Sequence, residues 1–292
     1  MEFLELAYQK FLELFDVFQW DIIVFYFATS ASVLLFEYLV LGWEKSSVKR
    51  IIDFKGSVKN DVIYFLLGAF NIYNLIVVLM SFGIINVLAR LFYEATNYDL
   101  ILHIQNPFLQ FSILFLVSDL KKYVSHFVFH KFGFLWKLHE MHHSADEFCV
   151  LTRYRGHFFE TALKKFFDVI PFAILGAPVE AYILVSLFAE VHQMLIHSGF
   201  KSNWGFIGKY ILVSPANHRL HHSIKREDYG KNFGGTFIFW DHLFGTYAEV
   251  DREIVIGTVE EEYNKKGFIY DNILGMKRFF NEILLVFNKS KR

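Results

Sequence analysis

Histidines are the residues of this sequence whose type and spacing can carry chemistry. The chain has 292 residues and 13 histidines, and twelve of the histidines lie between His126 and His242. Because positions i, i+3 and i+4 share one face of a helix, a triplet with H-x-x-H-H spacing is predicted to present three imidazoles to one centre. One H-x-x-x-H pair and two such triplets occur: His126 and His130; His139, His142 and His143; and His218, His221 and His222.

Eight imidazoles in three clusters predict more than one metal ion. A single transition-metal centre takes about five or six ligands, and imidazole suits iron, copper and zinc. Cys149 is the one cysteine of the chain, so it can form neither an internal disulfide nor a cysteine-based zinc or iron-sulfur site. The sequence therefore predicts two metal ions held by histidine or carboxylate.

Asp119 is a candidate site carboxylate. It lies seven residues before His126, two helical turns up the same face and at the depth of a predicted membrane span. A carboxylate there is costly unless it is paired or hydrogen-bonded. We expect it to accept an N–H from a metal-binding imidazole and so to fix the tautomer of that ring. A pair with Lys121 or Lys122 is the structural alternative.

The elements that must position these residues are apolar helices. The composition is 54% hydrophobic and 20% charged, with a mean hydropathy of +0.32. A bilayer span needs about 20 apolar residues. Residues 22–41 and 62–89 are long enough, a third apolar run continues helically over 107–130, and 166–196 is broken by Gly-Ala-Pro at 176–178. We expect three spans and a helical hairpin that dips into the membrane.

The distribution of lysine and arginine predicts the orientation. Five basic residues separate the first two spans and none lies within residues 94–118, so the N-terminus and the loop 94–106 are expected to face outward. The histidine region is then cytoplasmic. The net charge of −1 provides no basic field for nucleic acid phosphates. We predict an all-α integral-membrane helical bundle with a cytoplasmic, histidine-rich metal cap, formed as one domain over residues 1–292 and ending in an amphipathic stretch near 273–287.

The order of the three clusters resembles the fatty acid hydroxylase and sterol desaturase superfamily of membrane di-iron oxygenases. Further motifs agree over a core region of residues 107–249. These are Asp119 and Tyr123 before His126, Leu135-Trp136 before His139, Asn232-Phe233-Gly234, and Trp240-Asp241 followed by Phe244-Gly245-Thr246-Tyr247. At residues 157–160 relatives show H-P-x-E, whereas this chain has Phe158 in place of the proline. Within the superfamily the layout is closest to bacterial sterol-desaturase-like proteins and alkylglycerol monooxygenase.

The resemblance implies a membrane oxidoreductase that hydroxylates or desaturates a lipid. It implies two iron ions and dioxygen as co-substrate. Because members of the family use further histidines, His197 is expected as an additional ligand. His157 and His192 are two more candidates, each of which could instead be a hydrogen-bonded histidine behind the ligands. No Gly-x-Gly-x-x-Gly follows a strand, so a separate electron donor is expected to reach the cytoplasmic face. The substrate and the choice between hydroxylation and desaturation stay open.

Two other functions fit part of the sequence. His139-Glu140-Met141-His142-His143 satisfies H-E-x-x-H, in which two histidines bind zinc and the glutamate is the general base of a metalloprotease. An intramembrane zinc protease would use this cluster and leave the other two idle. A membrane protein that handles heme or metal without catalysis would account for the histidines but not for the other motifs.

Overall fold

The computed structural model describes residues 20–72, 75–76, 91, 95, 101, 103–175, 179–259 and 262–289. This part of the chain is helical, and its β structure is confined to two isolated bridges, Leu212 with Phe237 and Ser223 with Ile256. The helices are α1 Trp20–Leu41, α2 Ser47–Asp53, α3 Val58–Ala69, α4 Pro107–Lys131, α5 Gly133–His143, α6 Phe158–Leu175, α7 Val179–Ile196, α8 Gly205–Tyr210, α9 Pro215–His221, α10 Phe239–Phe244 and α11 Phe268–Lys289.

The first predicted span is a continuous helix. α1 has 22 residues, and within the described ranges it is the one helix whose length and composition suit a membrane crossing. Its end is fixed to the rest of the molecule by Glu37, which is buried and accepts hydrogen bonds from the Ser47 and Gly199 backbone amides, each at 2.6 Å. This carboxylate therefore joins α1 to α2 and to the loop after α7.

The second predicted span is interrupted. α3 ends at Ala69, and Asn71 adopts a left-handed conformation with φ of 56°. A left-handed residue cannot continue a right-handed helix, so α3 does not run on through this point. The prediction that residues 62–89 cross the bilayer stays a prediction. The later part of that apolar run falls largely outside the described residues.

The third predicted element is confirmed as a helix. α4 starts with Pro107 in its first turn, and the Asn106 side chain accepts hydrogen bonds from the amides of residues 108 and 109. This is the usual chemistry of a helix N-terminus. α4 then runs for 25 residues and carries Asp119, His126 and His130. The expected hairpin arms are α6 and α7, and the Gly-Ala-Pro break between them lies outside the described residues.

The C-terminal region contains one correction and one confirmation. The run of aromatic and β-branched residues at 235–240 predicts a strand, but only Phe237 in it forms a bridge and α10 begins at Phe239. The amphipathic stretch is helical, as predicted, and forms α11, which packs along α5.

Candidate metal centre

Nine histidines converge in two adjacent groups. Within each group the candidate ligand nitrogens all lie within 4.8 Å of one another. The five-histidine group draws on α4, α5 and α9, and the four-histidine group on α5, α9 and the residue after α7. The five-histidine group is His126, His130, His139, His143 and His221, and the four-histidine group is His142, His197, His218 and His222.

Each H-x-x-H-H triplet is divided between the two groups, contrary to the expectation of one triplet per centre. In α5, His139 and His143 join the five-histidine group and His142 joins the other. Neighbouring residues of a helix point about 100° apart, so a helix lying between two centres serves both. The triplet at α9 is divided in the same way, because His221 joins the five-histidine group whereas His218 and His222 join the other.

Local sequence fixes α9 despite its seven residues. Pro215 occupies its first turn, and the Ser214 hydroxyl oxygen accepts a hydrogen bond from the Asn217 amide at 3.1 Å. The Asn217 side-chain oxygen in turn accepts from the Ser214 amide at 3.1 Å. This reciprocal cap stabilises a helix too short to persist by itself.

In five of the nine imidazoles, Nδ1 lies at hydrogen-bond distance from a backbone carbonyl or carboxylate oxygen. Such an oxygen accepts a hydrogen bond but cannot donate one. Nδ1 must therefore carry the proton in the neutral ring, and Nε2 keeps its lone pair for another partner. The pairs are His126 with the Phe233 carbonyl at 2.9 Å, His139 with Glu160 Oε1 at 2.6 Å, His142 with the Arg155 carbonyl at 2.9 Å, His197 with the Gln193 carbonyl at 2.8 Å, and His221 with the Lys231 carbonyl at 2.8 Å.

The Nε2 atoms of the five-histidine group are buried, and none has a hydrogen-bond partner among the described residues. Buried polar nitrogens without partners are costly and rare in folded proteins. Five of them facing one another match the donor set of a transition metal. The residues present therefore fit a metal ion in this group.

The imidazoles are held in the neutral form that binds metal. Burial lowers the pKa of His143 and of His222 well below the ordinary value, and neighbouring imidazoles lower them further. Burial likewise lowers the pKa of His221 and His197 to about 3 each. Near neutral pH these side chains are uncharged, so they need not release a proton before coordination.

Glu160 is the residue of this centre that the cluster spacing does not reveal. It is buried in the first turn of α6, and Lys164, one turn later, pairs with the carboxylate that faces His139. A carboxylate behind a metal-binding imidazole fixes the ring and raises its basicity. Its signal in the sequence is the spacing of His157 and Glu160, where the family motif has a glutamate.

His157 and His192 lie outside both groups. Both ring nitrogens of His157 are engaged, Nε2 with the Asn272 carbonyl at 2.7 Å and Nδ1 with the Phe159 amide at 3.1 Å. His157 therefore joins the start of α6 to α11. The His192 ring lies against Trp204, with ring centres 5.8 Å apart. The structure does not bring either ring to the ligand nitrogens.

Asp119 was expected to accept a hydrogen bond from a metal-binding imidazole, but its partners lie elsewhere. Its carboxylate accepts from the Thr236 and Phe237 amides, each at 2.9 Å, and from Trp240 Nε1 at 3.1 Å. Burial raises the cost of such a charge, and three donors offset it. Asp119 thus holds the loop 234–240 against α4.

Asp241 secures the same loop from the other side. Its carboxylate accepts from the amides of Phe233 at 2.6 Å and Gly234 at 2.8 Å. Because the Phe233 carbonyl accepts from His126, Asp241 positions a metal-binding ring through the backbone. Gly234 leaves no room for a side chain, since a Cβ would lie 2.7 Å from the Phe237 carbonyl oxygen.

An ion pair supports the four-histidine group. Arg155 Nε lies 2.7 Å from Asp61 Oδ1, and both side chains are fully buried. Arg155 also donates to Asn264 at 2.7 Å. Since the Arg155 carbonyl accepts from His142, α3 and the loop before α11 together fix the direction of that imidazole. Nothing in the histidine spacing points to Asp61, which lies 65 residues before His126 in the chain.

Glu140 points away from the histidines. Its Oε2 lies 3.2 Å from Arg278 of α11 and 3.5 Å from Lys137. A general base must reach the water on the metal. The arrangement does not favour the zinc protease reading of H-E-x-x-H.

Comparison with known proteins gives the same family as the motifs. Residues 111–246 match the family model described as fatty acid hydroxylase. The chain is 30% identical over 135 residues to alkylglycerol monooxygenase of Caenorhabditis elegans, covering 46% of this chain and 26% of that enzyme. It is 27% identical over 231 residues to the ornithine lipid hydroxylase OlsE of Rhizobium tropici, covering 78% and 67%. Cholesterol 25-hydroxylase of Mus musculus is 28% identical over 144 residues, covering 46% and 45%. The match thus spans between a quarter and two thirds of these relatives. No solved structure matches the chain.

Proposed function

We propose that this chain, whose residues 111–246 match the fatty acid hydroxylase family model, is an integral-membrane oxidoreductase that uses two iron ions and dioxygen to oxidise a C–H bond of a lipid. The observation that carries the proposal is the pair of histidine groups, which offer nine imidazoles, six of them on buried residues, to two adjacent centres. Iron with dioxygen supplies the oxidation of an unactivated C–H bond, which zinc with water cannot.

The relatives support a lipid as the substrate class. Their names specify an alkylglycerol, an ornithine lipid and cholesterol. These molecules share long or bulky apolar parts and differ in their polar groups. By analogy with these relatives, we expect a hydroxylated product. A desaturated product is the alternative outcome of the same C–H abstraction.

In this proposal the protein residues hold the two iron ions and orient the imidazoles that bind them. The five-histidine group would hold one iron ion and the four-histidine group the other. Glu160 and four backbone carbonyls keep the Nε2 atoms of five of the nine imidazoles directed inward. Burial excludes bulk water, which protects an oxidising centre from side reactions.

The membrane arrangement is part of the proposal. We infer that α1 crosses the bilayer and that α4 enters it through its apolar residues 107–118 and leaves it before its histidines. We infer further that α6 and α7 dip into the bilayer and that the metal centre lies on the cytoplasmic side. A separate reductant protein would deliver electrons there. The basic residues at 45–59 and after residue 121 support this orientation.

Metal analysis joined to product analysis tests the proposal. Freshly purified protein is expected to contain about two iron ions per chain and to convert lipid only with dioxygen and a reductant. Comparative lipidomics of a deletion strain identifies the substrate. One zinc ion with no second metal, together with peptide hydrolysis, would overturn the proposal in favour of the protease. Zinc in both positions of an overproduced sample would not, provided that iron loading restores oxidation.

A further inference from the structure

α11 carries an apolar stripe that no described part of the chain covers. Ile269, Ile273, Phe280 and Leu284 are 55–63% exposed. On an ideal helix these positions fall within an arc of about 60° and extend about 23 Å along the axis. A stripe of this kind is unfavourable in water and indicates a binding surface.

The opposite face of α11 is packed against the metal-binding helix α5. Phe279 contacts Phe134, with ring centres 5.9 Å apart, and Leu274 packs in the cluster that contains Met141. Arg278 pairs with Glu140 at 3.2 Å. The orientation of α11 is therefore fixed, and its stripe faces outward.

α11 lies where the proposed membrane helices end. Glu282 lies beside Gly133, the first residue of α5 and two residues after the end of α4. Phe279 also contacts Phe159 in the first turn of α6, with ring centres 5.5 Å apart. If α4 and α6 enter the bilayer as proposed, α11 lies at the level of the lipid headgroups.

We propose that α11 lies in the plane of the membrane surface, with this stripe against the acyl chains. Asp271, Lys277, Arg278 and Glu282 exclude a membrane crossing but suit an interfacial helix. Lys277 is exposed beside the stripe, where it can reach lipid phosphates. The inference rests on the proposed membrane arrangement and adds a lipid contact outside the matched domain.

The consequence concerns the route of the substrate. α11 places a lipid-facing surface directly behind α5, which supplies three histidines. The metal centre would then be held at a constant distance from the headgroups, which fixes the part of a lipid molecule that can reach it.

Spin labels on the full-length chain test this placement. Cys149 is buried, so single cysteines can be introduced at Ile273, Phe280 and Leu284, with Asn281→Cys on a different face of the same helix as the matched control. The protein is reconstituted into vesicles of phosphatidylcholine and phosphatidylglycerol. We expect dioxygen to relax the three stripe labels more strongly than a water-soluble nickel chelate does, and the reverse at position 281.

Two outcomes would overturn the placement. The chelate could relax stripe and control labels equally, which would mean that the stripe faces water. Dipolar broadening between labels could also place the stripe against a second copy of the chain. Ile269→Cys, near the start of α11, provides a second stripe position should one variant misfold. Label depth does not depend on iron content or turnover, so failure here is distinguishable from failure of the proposed oxidation.

Discussion

His142 Nε2 lies 3.3 Å from His197 Nε2, and each ring has its Nδ1 against a backbone carbonyl. A carbonyl only accepts, so in the neutral rings both Nε2 atoms carry lone pairs directed at each other. Burial lowers the pKa of both side chains, which disfavours a proton between them. A metal cation is the partner that makes this arrangement favourable.

Removing one ring from each group should separate the two metal sites. His197→Ala is expected to lower the metal content from about two ions per chain to about one, because only the four-histidine group loses a ligand. His130→Ala should deplete the other site, and both variants should lose turnover. Elemental analysis of purified protein measures the content. His242→Ala, an exposed histidine outside both groups, is the control and should keep both ions.

Retention of both ions in His197→Ala would show that the four-histidine group does not bind metal. Turnover above about a tenth of normal in His130→Ala or His221→Ala would likewise exclude direct coordination, since even the loss of a residue behind a ligand costs about 10- to 100-fold.

Glu160→Ala should weaken metal binding without removing a ligand. His139 would lose the acceptor at its Nδ1, so its ring could turn and its basicity would fall. We expect about a 10- to 100-fold loss of metal affinity in a chelator competition. Glu160→Gln keeps an acceptor oxygen and should fall between Glu160→Ala and the unmodified chain. Equal affinity in all three proteins would contradict this role.

Glu140→Gln should keep substantial lipid oxidation. The carboxylate pairs with Arg278 and Lys137 and not with a metal-binding ring, so the change acts on stability. We expect a loss of about 1–3 kcal/mol in the free energy of unfolding, because a buried charged partner is left less well satisfied. Activity and thermal unfolding are measured on the same sample. An inactive but stable Glu140→Gln would support the protease instead.

Asp119→Asn should damage the protein through the loop 234–240. The carboxylate accepts from three donors, and an amide replaces one acceptor oxygen with an NH₂ group that faces a donor. We expect lower stability and partial metal loss. Trp240→Phe removes a single donor and should have a smaller effect. A stable Asp119→Asn that contains full metal would show that the loop does not depend on this carboxylate.

Acid should destabilise the metal-free protein. The pKa of buried histidines such as His221 is lowered to about 3, whereas the unfolded chain titrates near the ordinary value of 6.5. Below pH 6.5 the unfolded state binds more protons, so stability falls as pH falls towards 3. Each such histidine contributes up to about 1.4 kcal/mol per pH unit. Thermal unfolding of chelator-treated protein between pH 7.5 and 5 measures this, and an unchanged melting temperature would contradict it.

Local features of the structure follow from the sequence. The helices α1 and α4, the cap at Asn106 and the amphipathic α11 depend on periodicity and on residues within one turn. The identity of most metal-site histidines is also readable, because imidazoles at helical spacing are rare in a chain with 13 histidines. The interruption at Asn71 has only a weak signal in the sequence: asparagine tolerates the left-handed conformation better than most residues, but no proline or glycine marks the break.

Tertiary structure alone decided which histidines share a centre and what stands behind them. The sequence grouped each triplet together, whereas the position of α5 and α9 between two centres divides it. The acceptors behind His126 and His142 are the carbonyls of Phe233 and Arg155, 107 and 13 residues away. Every residue has a carbonyl, so no side-chain type marks these acceptors. Their roles arise only when packing brings the chain segments together.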